Sequence, residues 1–197
     1  MNLPNKLTVM RIVLIPLVLI FLLPLPWSQA AAWNDFLSSG GRLIALLFFM
    51  IASFTDYLDG HIARARGIVT NLGKFLDPIA DKMLVLSAFI ALTELGRISS
   101  WIPVIILFRE LSVTGIRLLA AKDGVVIAAS KLGKLKTVTQ MIALILLLLG
   151  VSLQTLLPAG AVLTALTVLG NIALIICIIT TFVSGYDYLK KNQRLLH

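Results

Sequence analysis

Six apolar runs, each about long enough to cross a lipid bilayer, constrain the fold of this 197-residue chain more than any other feature. A membrane-spanning helix needs about 20 mostly apolar residues. A soluble domain of this length could not bury so much apolar surface, since 59% of the residues are hydrophobic and only 13% are charged. The sequence therefore predicts an all-α integral membrane protein with six transmembrane helices, folded as a single domain over residues 1–197. The runs are roughly Leu7–Leu25, Arg42–Ala63, Lys74–Leu95, Trp101–Ala121, Leu132–Leu153 and Ala161–Leu189.

The lysines and arginines predict how these spans are oriented. With six spans, both termini lie on one side. Of the 17 lysines and arginines, 14 lie on that side, Arg42 and Arg97 lie on the opposite side, and Arg109 lies within the fourth run. The positive-inside rule then places both termini in the cytoplasm, in a multi-pass protein of the cell inner (cytoplasmic) membrane. The net charge of +8 indicates a lipid bilayer and anionic ligands as partners. No nucleic acid is expected, because no nucleic-acid-binding motif is present.

Four aspartates lie at the cytoplasmic ends of the second and third runs: Asp56, Asp59, Asp77 and Asp81. Their i, i+3 and i, i+4 spacings place each pair on one face of a helix. A carboxylate in hydrocarbon costs about 2.5–3.5 kcal/mol, so four together call for cations. All-oxygen ligands favour Mg²⁺ or Mn²⁺, and two such ions would activate a phosphoryl group for transfer. Gly60 and Gly73 would let a nucleotide or phosphate approach the backbone.

An ion or proton pathway is the alternative interpretation of acidic residues in a membrane. The acids of a proton relay would be spread over the depth of the bilayer. These four gather at one face instead, with an arginine and glycines between them. An ion-coupled transporter is therefore the weaker hypothesis.

The same stretch resembles the CDP-alcohol phosphotransferase family, whose pattern D-x-x-D-G-x-x-A-R-x8-G-x3-D-x3-D is matched at all eight fixed positions from Asp56 to Asp81. Members transfer a phosphatidyl or related group from a CDP-linked donor to an alcohol, release CMP, have six spans and are usually homodimers. The resemblance implies that the four aspartates bind two divalent metal ions and that Asp81 is also the general base. It further implies that the CDP site is lined by Gly60, Ala63, Arg64 and Gly73.

Basic residues of the fourth and fifth runs indicate the acceptor. Arg109 and Arg117 are about 80° apart around a helix, on one broad side, and Glu110 is expected to pair with a nearby arginine. Lys134 and Lys136 follow, although helical spacing would point them about 200° apart. Positive charge beside a metal site favours a second anion, such as an acceptor that carries a phosphate. Ordinary flanking by basic residues is the competing interpretation.

Three further segments resemble the bacterial branch of the family that uses CDP-diacylglycerol as donor and sn-glycerol 3-phosphate as acceptor. They are R-E-x-x-V-T-G-x-R from Arg109 to Arg117, G-K-x-K-T from Gly133 with Gln140 after it, and the start of the chain from Pro4 to Arg11. This resemblance implies phosphatidylglycerophosphate and CMP as products, with Arg109, Arg117, Lys134 and Lys136 as ligands of the acceptor phosphate. Phosphatidylglycerol and inositol phosphate stay open as acceptors. Asn5 and Thr8 would contact CDP, or else cap or anchor the first helix.

Overall fold

The computed structural model describes residues 3–66, 71–122, 124–125, 127–128, 130–154 and 156–193, without the side chains of residues 3–4, 56–66, 71–75 and 77. All regular secondary structure in these ranges is helical. Six long helices coincide with the six apolar runs, and a short helical segment that was not predicted precedes α3. The elements are α1 (Leu3–Leu22), a 3-10 turn (Ser28–Ala30), α2 (Ala31–Phe36), a π turn (Leu37–Gly41), α3 (Arg42–Arg66), α4 (Asn71–Glu94), α5 (Trp101–Lys122), α6 (Lys131–Leu153) and α7 (Ala161–Lys191).

A compact connection joins α1 to α3. Pro24 and Pro26 prevent α1 from continuing, because proline restricts the residue before it and lacks an N–H donor. The side chain of Asn34 then replaces the missing helical partners: its Oδ1 accepts from Leu25 N and its Nδ2 donates to Leu25 O, both at 2.9 Å. Gly40, at φ +117°, provides the left-handed backbone that turns the chain into α3.

Two helices end in the same hydrogen-bonded motif. At the end of α4, Arg97 N donates to Leu92 O and Gly96 N donates to Thr93 O, with Gly96 at φ +67°. At the end of α5, Val125 N donates to Ala120 O and Gly124 N donates to Ala121 O, with Gly124 at φ +73°. These are Schellman caps, which need a left-handed residue after the helix.

The helices form one bundle around a continuous apolar core. α1 packs against α3 and α4, while α6 packs along α7 and also contacts α3 and α4. The core is built mainly from leucine and alanine, and it includes the fully buried Phe49 and Phe89. Gly170 lets α7 approach α6 closely, since a Cβ atom there would lie 3.2 Å from Leu147 Cδ2. A smaller cluster of Val113, Ile116 and Tyr188 joins α5 to α7.

Arg42 and Arg97 lie together at one end of the bundle. Arg42 begins α3 beside the end of α6, where Ser152 Oγ donates to Arg42 O at 3.1 Å. Arg97 lies close by, because a Cβ atom at Gly150 would be 3.7 Å from its Nη2. The two arginines predicted to share the less basic side therefore do lie at one end of the bundle.

Large apolar side chains cover much of the outer surface, among them Phe54, Phe108 and Phe182, which are each more than half exposed. Within the described residues, four helical stretches are long and apolar enough to cross a membrane: Asn5–Leu22, Ser28–Thr55, Lys131–Leu153 and Ala161–Lys191. These features indicate a membrane protein. The prediction of six spans also needs α4 and α5, which carry more charge.

Candidate active site

A cleft of about 480 Å³ opens between α4, α5 and α6, and we call it the central cleft. Part of its lining is apolar and includes Val85, Leu86 and Ile106. Charged residues from all three helices line the rest. They are Asp81 and Lys82 of α4, Arg109, Glu110 and Arg117 of α5, and Lys134 and Lys136 of α6. The predicted base and all four predicted ligands of the acceptor phosphate thus line one cavity.

Glu110 joins the two walls of the central cleft. One of its carboxylate oxygens accepts from Arg109 Nη1 at 3.0 Å and from Lys136 Nζ at 2.5 Å. The side chain of Lys136 is only 4% exposed, so this carboxylate provides the ion pair that a buried ammonium group needs. The prediction that Glu110 pairs with a nearby arginine is confirmed, and the second partner, Lys136, was not foreseen.

Lys134 and Lys136 differ in their surroundings although both line the cleft. Lys136 is buried against Glu110, whereas Lys134 is exposed at the start of α6. No hydrogen bond or ion pair joins the Lys134 ammonium group to the described residues. Ser130 caps this end of α6 by accepting from Gly133 N at 3.0 Å, which fixes the backbone that carries Lys134.

Both arginines of α5 donate hydrogen bonds to side chains of α7. Arg109 Nη2 donates to Ser184 Oγ at 2.6 Å, and Arg117 Nε donates to Tyr188 Oη at 3.1 Å. The Arg117 guanidinium also lies over the Tyr188 ring, 5.6 Å from its centroid. Sequence reasoning assigned nothing specific to α7 and missed these residues. A serine and a tyrosine in an apolar run carry no motif, and only the packing of α7 on α5 reveals them.

The α4 wall contributes the predicted base. Asp81 is exposed to the cleft and Lys82 follows it, donating from Nζ to Thr114 Oγ1 of α5. Thr114 in turn donates to Glu110 O at 2.7 Å. This threonine of the R-E-x-x-V-T-G-x-R stretch therefore links α4 to α5 beside the charged network.

Several predicted site residues lie where only the helical backbone is described. Asp56, Asp59, Gly60, Ala63 and Arg64 are in the last turns of α3, and Gly73 and Asp77 are in the first turns of α4. Their side-chain positions lie outside the described residues, as do any metal contacts they make. Because both segments are helical, Asp56 and Asp59 occupy positions on one face of α3, and Asp77 and Asp81 occupy positions on one face of α4.

Near the start of α1, three polar residues lie on the buried side of the helix. Asn5 is 6% exposed, and Thr8 and Arg11 are fully buried. Their spacing of three residues matches one helical face, and α1 packs on α3 and α4, the helices that carry the aspartates. The prediction that Asn5 and Thr8 contribute to the nucleotide site is therefore compatible with the side that they occupy.

Comparison with known proteins finds similarity over nearly the whole chain. The family profile described as CDP-alcohol phosphatidyltransferase matches residues 1–183. A Bacillus subtilis (strain 168) protein named CDP-diacylglycerol--glycerol-3-phosphate 3-phosphatidyltransferase is 41% identical over 196 residues, covering 99% of this chain and 97% of that protein.

Two relatives from other bacteria have similar identities. A Rickettsia felis protein with the same name is 37% identical over 193 residues, covering 98% of this chain and 96% of its own length. A Mycobacterium tuberculosis (strain ATCC 25618 / H37Rv) protein named probable phosphatidylglycerophosphate synthase is 39% identical over 193 residues, covering 98% of this chain and 82% of its own length. The similarity to these proteins extends into α7.

Proposed function

Because this chain belongs to the CDP-alcohol phosphatidyltransferase family, we propose that it transfers the phosphatidyl group of CDP-diacylglycerol to sn-glycerol 3-phosphate, giving phosphatidylglycerophosphate and CMP. The family resemblance seen in the sequence is confirmed, and the names of full-length relatives support an enzyme with this activity. In the structure, one observation carries the proposal: Asp81 lies in the same cleft as Arg109, Arg117 and Lys134.

The charge of the central cleft favours a phosphorylated alcohol as the acceptor. Its described lining contains five basic residues and two acidic ones, Asp81 and Glu110. Such an excess of positive charge in a partly apolar cleft is stabilised by an anion, and arginine is well suited to bind phosphate in a bidentate way. A neutral acceptor such as serine would not offset this charge.

The reaction that we propose needs one proton acceptor and two binding sites. The 1-hydroxyl of glycerol 3-phosphate attacks the phosphorus atom that is joined to diacylglycerol, and the bond from that phosphorus to the CMP oxygen breaks. Asp81 takes the hydroxyl proton as general base. Arg117 and Lys134 hold the acceptor phosphate, while Arg109 and Lys136, tied to Glu110, form the basic wall behind it.

Members of this family depend on divalent metal ions. The donor set of this chain fits such ions, because Asp56, Asp59, Asp77 and Asp81 offer only carboxylate oxygens, at helical positions three and four residues apart. We propose that these residues hold two ions, Mg²⁺ or Mn²⁺. Bound there, the ions would neutralise the charge of the donor pyrophosphate and of the leaving group.

For the CDP moiety we propose a site at the junction of α1, α3 and α4. Gly60, Ala63, Arg64 and Gly73 would line it, with Asn5 and Thr8 from α1. Support comes from the packing of α1 on both helices and from the burial of its polar side.

We further propose the membrane arrangement predicted from the sequence. The chain would form one domain with six spans, in the cytoplasmic membrane, with both termini and the central cleft on the cytoplasmic side. Two copies would form a homodimer. The position of Arg42 and Arg97 at one end of the bundle supports this orientation, since the other end carries the basic cleft.

An acceptor panel tests the proposed reaction. Purified protein is incubated with CDP-diacylglycerol and Mn²⁺ or Mg²⁺, and with glycerol 3-phosphate, phosphatidylglycerol or inositol phosphate, while CMP release and the lipid product are measured. We expect CMP and phosphatidylglycerophosphate with glycerol 3-phosphate, and loss of both products after chelation. CMP release with only one of the other acceptors would assign the chain to a branch of the family that uses that acceptor. If no acceptor causes CMP release, the result would favour an ion-coupled transporter.

The Asp81→Asn variant tests the base. We expect CMP release to fall by about 10²–10⁴-fold, the usual contribution of a general base, with membrane insertion and thermal stability retained. Near-normal turnover in this variant would remove Asp81 from that role.

A further inference from the structure

The last helix supports the basic wall of the central cleft through three residues within five positions. Ser184 and Tyr188 are one turn apart on a face of α7 turned towards α5, and they are 0% and 3% exposed. Ser184 accepts from Arg109, and Tyr188 accepts from Arg117. Gly185 permits the close contact, since a Cβ atom there would lie 3.2 Å from Arg109 Cγ.

Tyr188 holds Arg117 in two ways at once. Its hydroxyl accepts from Nε, and its ring lies under the guanidinium, while the ring itself packs with Val113 and Ile116 of α5. A guanidinium has five N–H donors, and among the described residues only the Nε donor of Arg117 has a hydrogen-bond partner. No hydrogen bond joins the terminal Nη1 and Nη2 groups of Arg117 to the part of the chain that the structure describes. These are the groups with which arginine binds phosphate.

We propose that Tyr188 is a positioning residue for the acceptor: it holds Arg117 so that its two terminal amino groups are available to a phosphate in the central cleft. The inference rests on the proposed function, because it names a residue that shapes the same acceptor site. Tyr188 acts through Arg117 and not by contact, since none of the described residues that line the cleft belongs to α7.

A physical cost explains why such a support matters. A free arginine side chain loses rotamer entropy when it is fixed by a ligand. The hydroxyl and the ring of Tyr188 already restrain Arg117, so this side chain loses less entropy when it binds the acceptor phosphate. Loss of the hydroxyl alone should therefore weaken acceptor binding without changing the chemistry at the donor phosphorus.

The Tyr188→Phe variant tests this, because it keeps the ring and its packing. With purified protein, CDP-diacylglycerol and Mn²⁺, we expect the KM for glycerol 3-phosphate to rise about tenfold, as expected for a lost hydrogen bond to a charged group, while kcat and the KM for CDP-diacylglycerol stay within twofold. Tyr186→Phe is the matched control, since Tyr186 is 68% exposed two residues earlier, and it should behave as wild type. Thermal melting of both variants checks folding.

A double-mutant cycle separates positioning from a general structural effect. In the Arg117→Ala background, adding Tyr188→Phe should not lower kcat/KM for glycerol 3-phosphate further. An unchanged KM in Tyr188→Phe, or a full additional loss in the Arg117→Ala background, would overturn the role of Tyr188. A wild-type protein that releases no CMP with glycerol 3-phosphate would instead overturn the proposed function itself.

Discussion

At the residue scale, the central cleft contains two kinds of basic side chain. Arg109 and Lys136 are bound to Glu110 and largely buried, so they belong to the structure of the wall. Arg117 and Lys134 keep donors that no described residue uses. The sequence alone could not assign different roles to Lys134 and Lys136, because each role depends on which neighbouring helix faces that position.

Replacing each lysine by methionine tests the division. Lys134→Met should raise the KM for glycerol 3-phosphate about tenfold with little change in thermal stability, because only a ligand contact is lost. Lys136→Met should lower the melting temperature, because it removes a partner from a partly buried carboxylate. Steady-state kinetics and thermal melting in detergent measure both effects. The opposite pattern would reverse the two roles.

Glu110 should matter for stability because its carboxylate binds two cations, Arg109 and Lys136. Glu110→Gln should reduce the free energy of unfolding by about 1.5–3 kcal/mol, because hydrogen bonds to charged groups are lost in a largely buried site. Asp187→Asn is the matched control: Asp187 accepts from Lys191 at 2.8 Å, but that lysine is 66% exposed, and such a pair contributes less than about 1 kcal/mol. Equal changes in the two variants, measured by thermal melting, would contradict the structural role of Glu110.

At the scale of the elements, the start of α6 connects helix capping to the site. Ser130 caps the helix through Gly133 N, and Gly133 and Lys134 both line the cleft. The cap therefore stabilises a helix and also fixes the backbone next to the proposed acceptor site. The apolar length of α6 could be predicted from the sequence, whereas this dual role needed the structure.

Ser130→Ala should cost about 1 kcal/mol of stability and should also raise the KM for glycerol 3-phosphate a few-fold. Ser130→Thr should restore both, because it keeps the capping oxygen. Ser99→Ala is the control at the other end of the bundle, where Ser99 Oγ lies 3.5 Å from Trp101 N at the start of α5. A change in stability without any change in the KM for glycerol 3-phosphate would show that the Ser130 cap does not influence the acceptor site.

The six long helices could be predicted because apolar length is a local property of the sequence. The segment from Ser28 to Gly41 could not, because its shape depends on a side-chain pair, Asn34 with Leu25, and on aromatic contacts of Phe21 with Trp33 and Phe36. For the same reason, the contacts of Ser184 and Tyr188 with the arginines of α5 could not be predicted. They act on residues more than 70 positions away, and no periodicity in a single run records such a contact.

At the scale of the whole molecule, the charge difference between the two ends of the bundle predicts its orientation. The chain has a single cysteine, Cys177, which is buried. A Cys177→Ala background therefore allows single-cysteine labelling with a membrane-impermeant maleimide. Ser99→Cys should be labelled in intact spheroplasts, whereas Lys191→Cys should be labelled only after the membrane is opened. Labelling of Lys191→Cys in intact spheroplasts would contradict the proposed orientation.

The charges within α5 also have a consequence for how the protein is made. Arg109, Glu110 and Arg117 make α5 a poor segment for independent insertion, since a charge near the centre of an inserting helix costs about 2.5–3.5 kcal/mol. The residues of other helices that bind these three side chains, Lys136, Ser184 and Tyr188, are all synthesised later. In the proposed six-span protein, α5 would therefore stay at the translocon until α6 and α7 emerge. Membrane insertion of α5, α6 and α7 would be a single cooperative step. If translation stopped after α5, that helix would not insert stably into the bilayer.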